Sequence, residues 1–157
     1  MNVGRRTCRP LAVLALVALV PACAGDGAAD KPRRHPTRGS LTYNGQPARG
    51  ARVTLHPLPL EGNDWRTVRP MAQVEADGSF QLNSYDLKDG AVTGDYALTV
   101  IWTGESGGPG PDWFGGRFAD PKKAVARVTI AEGENFIPPI HLKGPPLAAG
   151  AAARNTD

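Results

Sequence analysis

Three histidines, His35, His56 and His141, are the residues of this 157-residue chain best suited to hold a metal ion or move a proton near neutral pH. Their separations give neither HxH nor HExxH, the spacings that bring two imidazoles to one ion. His56 and His141 meet only if the second strand and the last are neighbours. Glu75 and Asp77, just before Gly78, lack the further oxygen ligands of a calcium loop and read as part of a turn. There is no GxSxG, and the only thiols are Cys8 and Cys23, so hydrolytic triads find no support. The residues read as noncatalytic, with no metal and no cofactor. What remains is aromatic: Trp113 and Phe114 near the tip of a Gly-rich connection, residues 103–117, and Trp65 in the loop at 61–65. Such rings stack on sugars or fill a partner's pocket when both loops share one end of a domain. They also fold back to cover a core, and composition does not separate the two uses.

The positive charge has a definite place. Of 18 basic residues, Arg5, Arg6 and Arg9 precede the uncharged run 11–20, and without these three the basic count equals the 15 acidic residues. The excess therefore belongs to a targeting segment, and no basic field is left to attract nucleic acid. Ten apolar residues at about 1.5 Å each cover roughly half of a hydrocarbon core of about 30 Å, so the segment reads as an export signal rather than a membrane span. Val20-Pro21-Ala22-Cys23 resembles the lipobox of bacterial lipoproteins, with Pro21 where Ala, Ser or Thr is usual. That resemblance implies cleavage of residues 1–22 and acylation of Cys23, palmitate included, as a membrane anchor. Because Cys8 leaves with the signal, acylation also removes an unpaired thiol from an oxidising compartment. By the sorting rules of Gram-negative lipoproteins, Ala24 favours the outer membrane, with the protein facing the periplasm.

These residues need a scaffold. Residues 23–38 have the small, polar, Pro-containing composition of a lipid-anchored tether, and residues 144–157 read as a low-complexity tail outside the core. Lys31, Arg33, Arg34 and Arg38 suit a solvated linker or contact with acidic headgroups. Between the tails, at 39–143, the apolar period is two rather than 3.6. Strands are predicted at 41–43, 52–56, 71–76, 79–83, 96–102, 125–130 and 136–142, with turns at Asn44-Gly45 and Asp77-Gly78. Pro138 and Pro139 make the last strand an edge or a bent one. Val53, Leu55, Phe80, Leu82, Leu98 and Val100 are expected in the core, with Val128 and Ile130 opposite. The expected fold is an all-β, seven-stranded antiparallel sandwich. Tyr96 is placed to tie a loop to it through its hydroxyl.

The order of motifs carries a second resemblance. Residues 39–55 (GSLTYNGQPARGARVTL), 76–82 (ADGSFQL) and 94–100 (GDYALTV), with Arg117-Phe-Ala-Asp-Pro and Glu134-Asn-Phe later, resemble the carboxypeptidase-regulatory-like domain of the transthyretin-like group. That resemblance, over residues 39–143, implies a Greek-key sandwich serving as a binding or structural module. Transthyretin-like hydrolases of hydroxyisourate end in Tyr-Arg-Gly-Ser; this chain ends in Ala-Arg-Asn-Thr-Asp. The expected protein is a lipid-anchored envelope component whose partners are the membrane, through the anchor, and an envelope protein or glycan. The alternative is a carbohydrate-binding module acting through Trp65, Trp113 and Phe114.

Overall fold

Alternation of small β-branched or aliphatic residues with polar ones builds the longest ladder. Strands β4 (Arg52–Pro57) and β8 (Gly94–Ile101) pair antiparallel, setting Val53 opposite Val100 and Leu55 opposite Leu98. All four side chains are fully buried, so one face of the ladder is core along its length. Strands β5 (Met71–Gln73) and β9 (Ala126–Ile130) flank them, giving the order β5-β4-β8-β9. Ile130 is buried and Val128 half-buried on the same inner face. The computed structural model describes residue 1, residues 32–60 and residues 67–147. Cys23, Trp65 and the export segment lie outside the described residues.

The second sheet is organised by one strand, β2 (Thr37–Tyr43). On one side its Thr37 carbonyl accepts from the Leu82 N–H, and its Leu41 N–H donates to the Gly78 carbonyl. There β6 (Ser79–Gln81) and β3 (Gln46–Pro47) lie end to end, both antiparallel to β2. On the other side the Arg38 carbonyl accepts from Ile137 N–H, and Asn44 N–H donates to the Leu142 carbonyl. Here β10 (Asn135–Phe136) and β11 (Ile140–Leu142) lie end to end, interrupted by Pro138 and Pro139. Both run parallel to β2, which corrects the expectation of a purely antiparallel arrangement. After β9 the chain leaves the four-stranded sheet and joins β2 in β2's own direction, which no local turn imposes.

The hairpin at Asp77-Gly78 forms, and its arms then part. Glu75 N–H donates to the Ser79 carbonyl, and Met71 and Asn83 exchange backbone bonds, but between these points β5 pairs with β4 while β6 pairs with β2. One short hairpin thus joins the two sheets. Asn44 and Gly45 take positive φ of 50° and 84°, the turn conformation that joins β2 to β3. The described residues contain no helix beyond a 3-10 turn at Pro121–Lys123, so the chain is all-β with open sheets. One core cluster draws Leu41, Phe80 and Ile140 from the second sheet, and Val53, Leu98 and Ile130 from the first.

The domain boundaries differ from expectation at both ends. Arg34 and His35 form β1, paired with β7 (Ala91–Val92), and His35 and Thr37 are buried although they fall within the expected tether. The His35 ring accepts from Gly133 N–H at 2.9 Å, and the Thr37 hydroxyl donates to the His35 carbonyl at 2.9 Å, so both buried polar side chains are satisfied. Arg34 pairs with Asp89 at 3.1 Å, and Arg38 with Glu134 at 3.0 Å, rather than standing as linker charges. At the other end, Pro145 accepts the Tyr43 hydroxyl at 2.6 Å and Leu147 packs on the core. The start of the expected tail therefore belongs to the domain.

Candidate functional site

The aromatic loop is built from the end of β8 outward. Trp102, the residue after that strand, donates its indole N–H to the Arg49 carbonyl at 2.8 Å, and its own carbonyl accepts from Trp113 N–H at 2.6 Å. Asp112 completes the closure. One carboxylate oxygen accepts from Trp102 N–H at 2.9 Å and Phe114 N–H at 3.1 Å, and the other from Gly116 N–H at 2.8 Å. Three backbone donors that a Gly-rich loop would leave to water are thereby held by one side chain.

That closure directs Phe114 inward. Its ring lies 5.0 Å from Tyr43, 5.5 Å from Trp102 and 5.0 Å from Phe118, the last edge-on, and it is 8% exposed. Such tilted and edge-on pairs are favoured by the ring quadrupoles. The ring expected at a binding tip therefore covers the core. Trp113 differs: it stacks against Trp102 at 5.2 Å but is only half-buried, and it lines a hollow of about 370 Å³ with Arg49, Thr103, Glu105, Ser106 and Pro109. Arg49 and Glu105 approach to 3.6 Å at the hollow. Gly50, at φ 80°, lies so close beneath the Gly104 and Glu105 carbonyls that a Cβ there would strike backbone.

The other candidate groups have structural partners. His56 Nε2 and the Thr99 hydroxyl are 2.8 Å apart, and His141 Nδ1 and the Thr42 hydroxyl 2.9 Å. These two histidines lie in different sheets, so strand pairing does not join them. Burial, and then the nearby Arg69 guanidinium, hold the His56 ring below its ordinary pKa. Asp77 accepts from both the hydroxyl and the N–H of Ser79, at 2.7 and 2.8 Å, which lowers its pKa and fixes the turn. Among the described residues no group of three or more His, Cys, Asp or Glu side chains is placed to hold a metal ion. Tyr96 donates its hydroxyl to the Val92 carbonyl at 2.9 Å, the tie that the sequence suggests, and burial followed by the Tyr85 charge raises its pKa.

Two organising carboxylates escaped the sequence reading. Asp112 is one. Asp89 is the other: it accepts from the N–H groups of Ser84, Tyr85 and Asp86 and pairs with Arg34. Its burial works to raise the pKa, but those donors and the guanidinium together carry it below the usual range. The available signal was an Asp in a loop, beside Gly90 for Asp89 and between Pro111 and Trp113 for Asp112, which marks an acceptor for nearby N–H groups without saying which.

No family model matches the sequence, and no curated protein matches it. Among solved structures, a DUF3823 family protein from Parabacteroides merdae is similar to this chain at 22% identity, over 71% of this chain, with a TM-score of 0.40. The match spans 46% of that protein's chain.

Proposed function

We propose that this chain is a noncatalytic, lipid-anchored protein of the cell envelope, held at the outer membrane through Cys23 and presenting a transthyretin-like Greek-key sandwich for binding or envelope architecture. The observation that carries the noncatalytic reading is the engagement of the chemically capable side chains. His35, His56, His141, Asp77, Asp89 and Asp112 each hold a strand, turn or loop through hydrogen bonds. In these positions the hydrogen bonds account for the side chains as parts of the scaffold, and that supports the noncatalytic reading. The core shared by the two sheets supports their reading as sandwich layers. Cys23→Ser tests the anchor: the variant is expected to leave the membrane fraction or keep its signal uncut, and to incorporate no labelled palmitate. A variant that is normally processed and membrane-bound overturns it.

A second reading, glycan binding by the loop, is favoured by one observation: Trp113 presents part of its ring to a polar hollow. Trp113→Ala on a glycan array is expected to lose binding while the melting temperature changes little. Unchanged binding removes the loop from consideration.

A further inference from the structure

The four-stranded sheet has an outer face as well as a core face. Val53, Leu55, Leu98, Val100 and Ile130 turn to the core, so alternation places His56, Ala97 and Arg127 on the opposite face in one row, with Ala97 buried and Arg127 exposed, and Asp95 opposite Thr129 in another. At this end of the sheet lies a groove of about 760 Å³, within the size range of small-ligand sites. Its lining divides by chemistry. Leu58 and Leu60 supply an apolar wall, Arg127 and Lys122 are cationic, and Asp95 and Thr129 are hydrogen-bonded to each other at 2.6 Å.

The groove's cations are left open by the ion pairs of the described residues. Arg34 pairs with Asp86 and Asp89, Arg38 with Glu134, and Arg49 with Glu105. Lys122 and Arg127 form none, and their side chains are exposed. Arg127 and Thr129 project two residues apart on one strand face, roughly 7 Å, comparable to the width of a sugar ring.

We propose that this groove binds an acidic sugar chain, with the acid group on Lys122 and Arg127, hydroxyls on Asp95 and Thr129, and the C–H face of the ring against Leu58 and Leu60. Charge complementarity selects an anion. The acceptor oxygens of Asp95 and Thr129 favour a ligand that also donates hydroxyls over a polyphosphate, whose ionised oxygens only accept. The apolar wall gives a flat saccharide face contact that an extended phosphate backbone would not use. The inference deepens the binding reading of the domain, and it locates that binding on the sheet rather than on the aromatic loop.

The test is calorimetric titration of the full-length protein with a hexameric oligogalacturonate, with maltohexaose as the neutral control and a short polyphosphate as the charged one. The oligogalacturonate is expected to bind, more weakly as salt rises, and the two controls to bind less. Arg127→Gln is expected to weaken that binding about tenfold or more, as loss of a charged hydrogen bond implies, with an unchanged melting temperature. Asp95→Asn should weaken it for the oligogalacturonate and strengthen it for polyphosphate. Absence of oligogalacturonate binding, binding untouched by Arg127→Gln, or polyphosphate preferred in the unaltered protein each overturns the proposal. If oligogalacturonate fails while a glycan array still gives Trp113-dependent signals, the groove falls and the binding reading of the domain stands. If both fail, the binding reading falls too.

Discussion

The aromatic loop and the groove beside β9 invert the expectations attached to their residues. Trp113 and Phe114 look like contact residues in the sequence, yet Asp112 and the rings of Tyr43, Trp102 and Phe118 draw Phe114 into the core and half-bury Trp113. Lys122 and Arg127 look like ordinary surface charges, yet they line the larger hollow and form no ion pair with its Asp95 carboxylate. Residue type indicates what a side chain is able to do; whether it is already engaged decides what it remains available for.

The sharpest way to break this comparison is Phe114→Ala. A buried ring with three aromatic neighbours is expected to cost about 3–5 kcal/mol of stability on truncation, measured by chemical denaturation. A loss below about 0.5 kcal/mol, as surface sites give, would return Phe114 to the surface and restore the loop as an exposed tip. Next in size is Asp112→Ala, expected to cost about 1–3 kcal/mol because backbone N–H groups lose their acceptor. Hydrogen exchange at Trp102, Phe114 and Gly116 should accelerate in that variant. Unaltered exchange at all three would show that the loop closes without the carboxylate.

The smallest effect sharpens the other side of the comparison. His56 shares the outer row with Arg127 and is depressed by burial first and by Arg69 second. Its folded pKa lies below the unfolded value, so its contribution to stability is complete above about pH 6.5 and is lost as pH falls through the folded value. An NMR titration of the His56 ring should show a midpoint below about 6.5, and Arg69→Gln should raise it. A midpoint unaffected by Arg69→Gln would leave burial as the sole cause.

Much of the first sheet was legible in the sequence because its signal is local. Alternation in β4 and β8 identified Val53, Leu55, Leu98 and Val100, and all four are buried in register. The second sheet was harder to see. His35 and Thr37 are buried through hydrogen bonds, which hydropathy does not register, so their stretch read as tether. Phe136 read as part of an apolar segment, yet it is 63% exposed beneath the Arg38 guanidinium, a cation over a ring. The parallel partners of β2 are set by pairing across the sheet, and their local sequence carries no mark of direction. Of the candidate site, the loop's extent was legible and the inward turn of Phe114 was not, since it depends on which N–H groups Asp112 captures.

The placement of β2 also has a consequence in time. Thr42 and His141 sit side by side, 99 residues apart along the chain. A chain synthesised from its N-terminus makes β2 early and receives β11 near the end, so the second sheet has no complete version before the last strand emerges. Contacts of such high order slow folding relative to local pairing. For a chain exported as proposed, that delay is useful: the polypeptide remains an unfinished thread during passage and closes only after release. A circular permutant beginning at β10 would place β11 before β2 and is a direct means of shortening that wait.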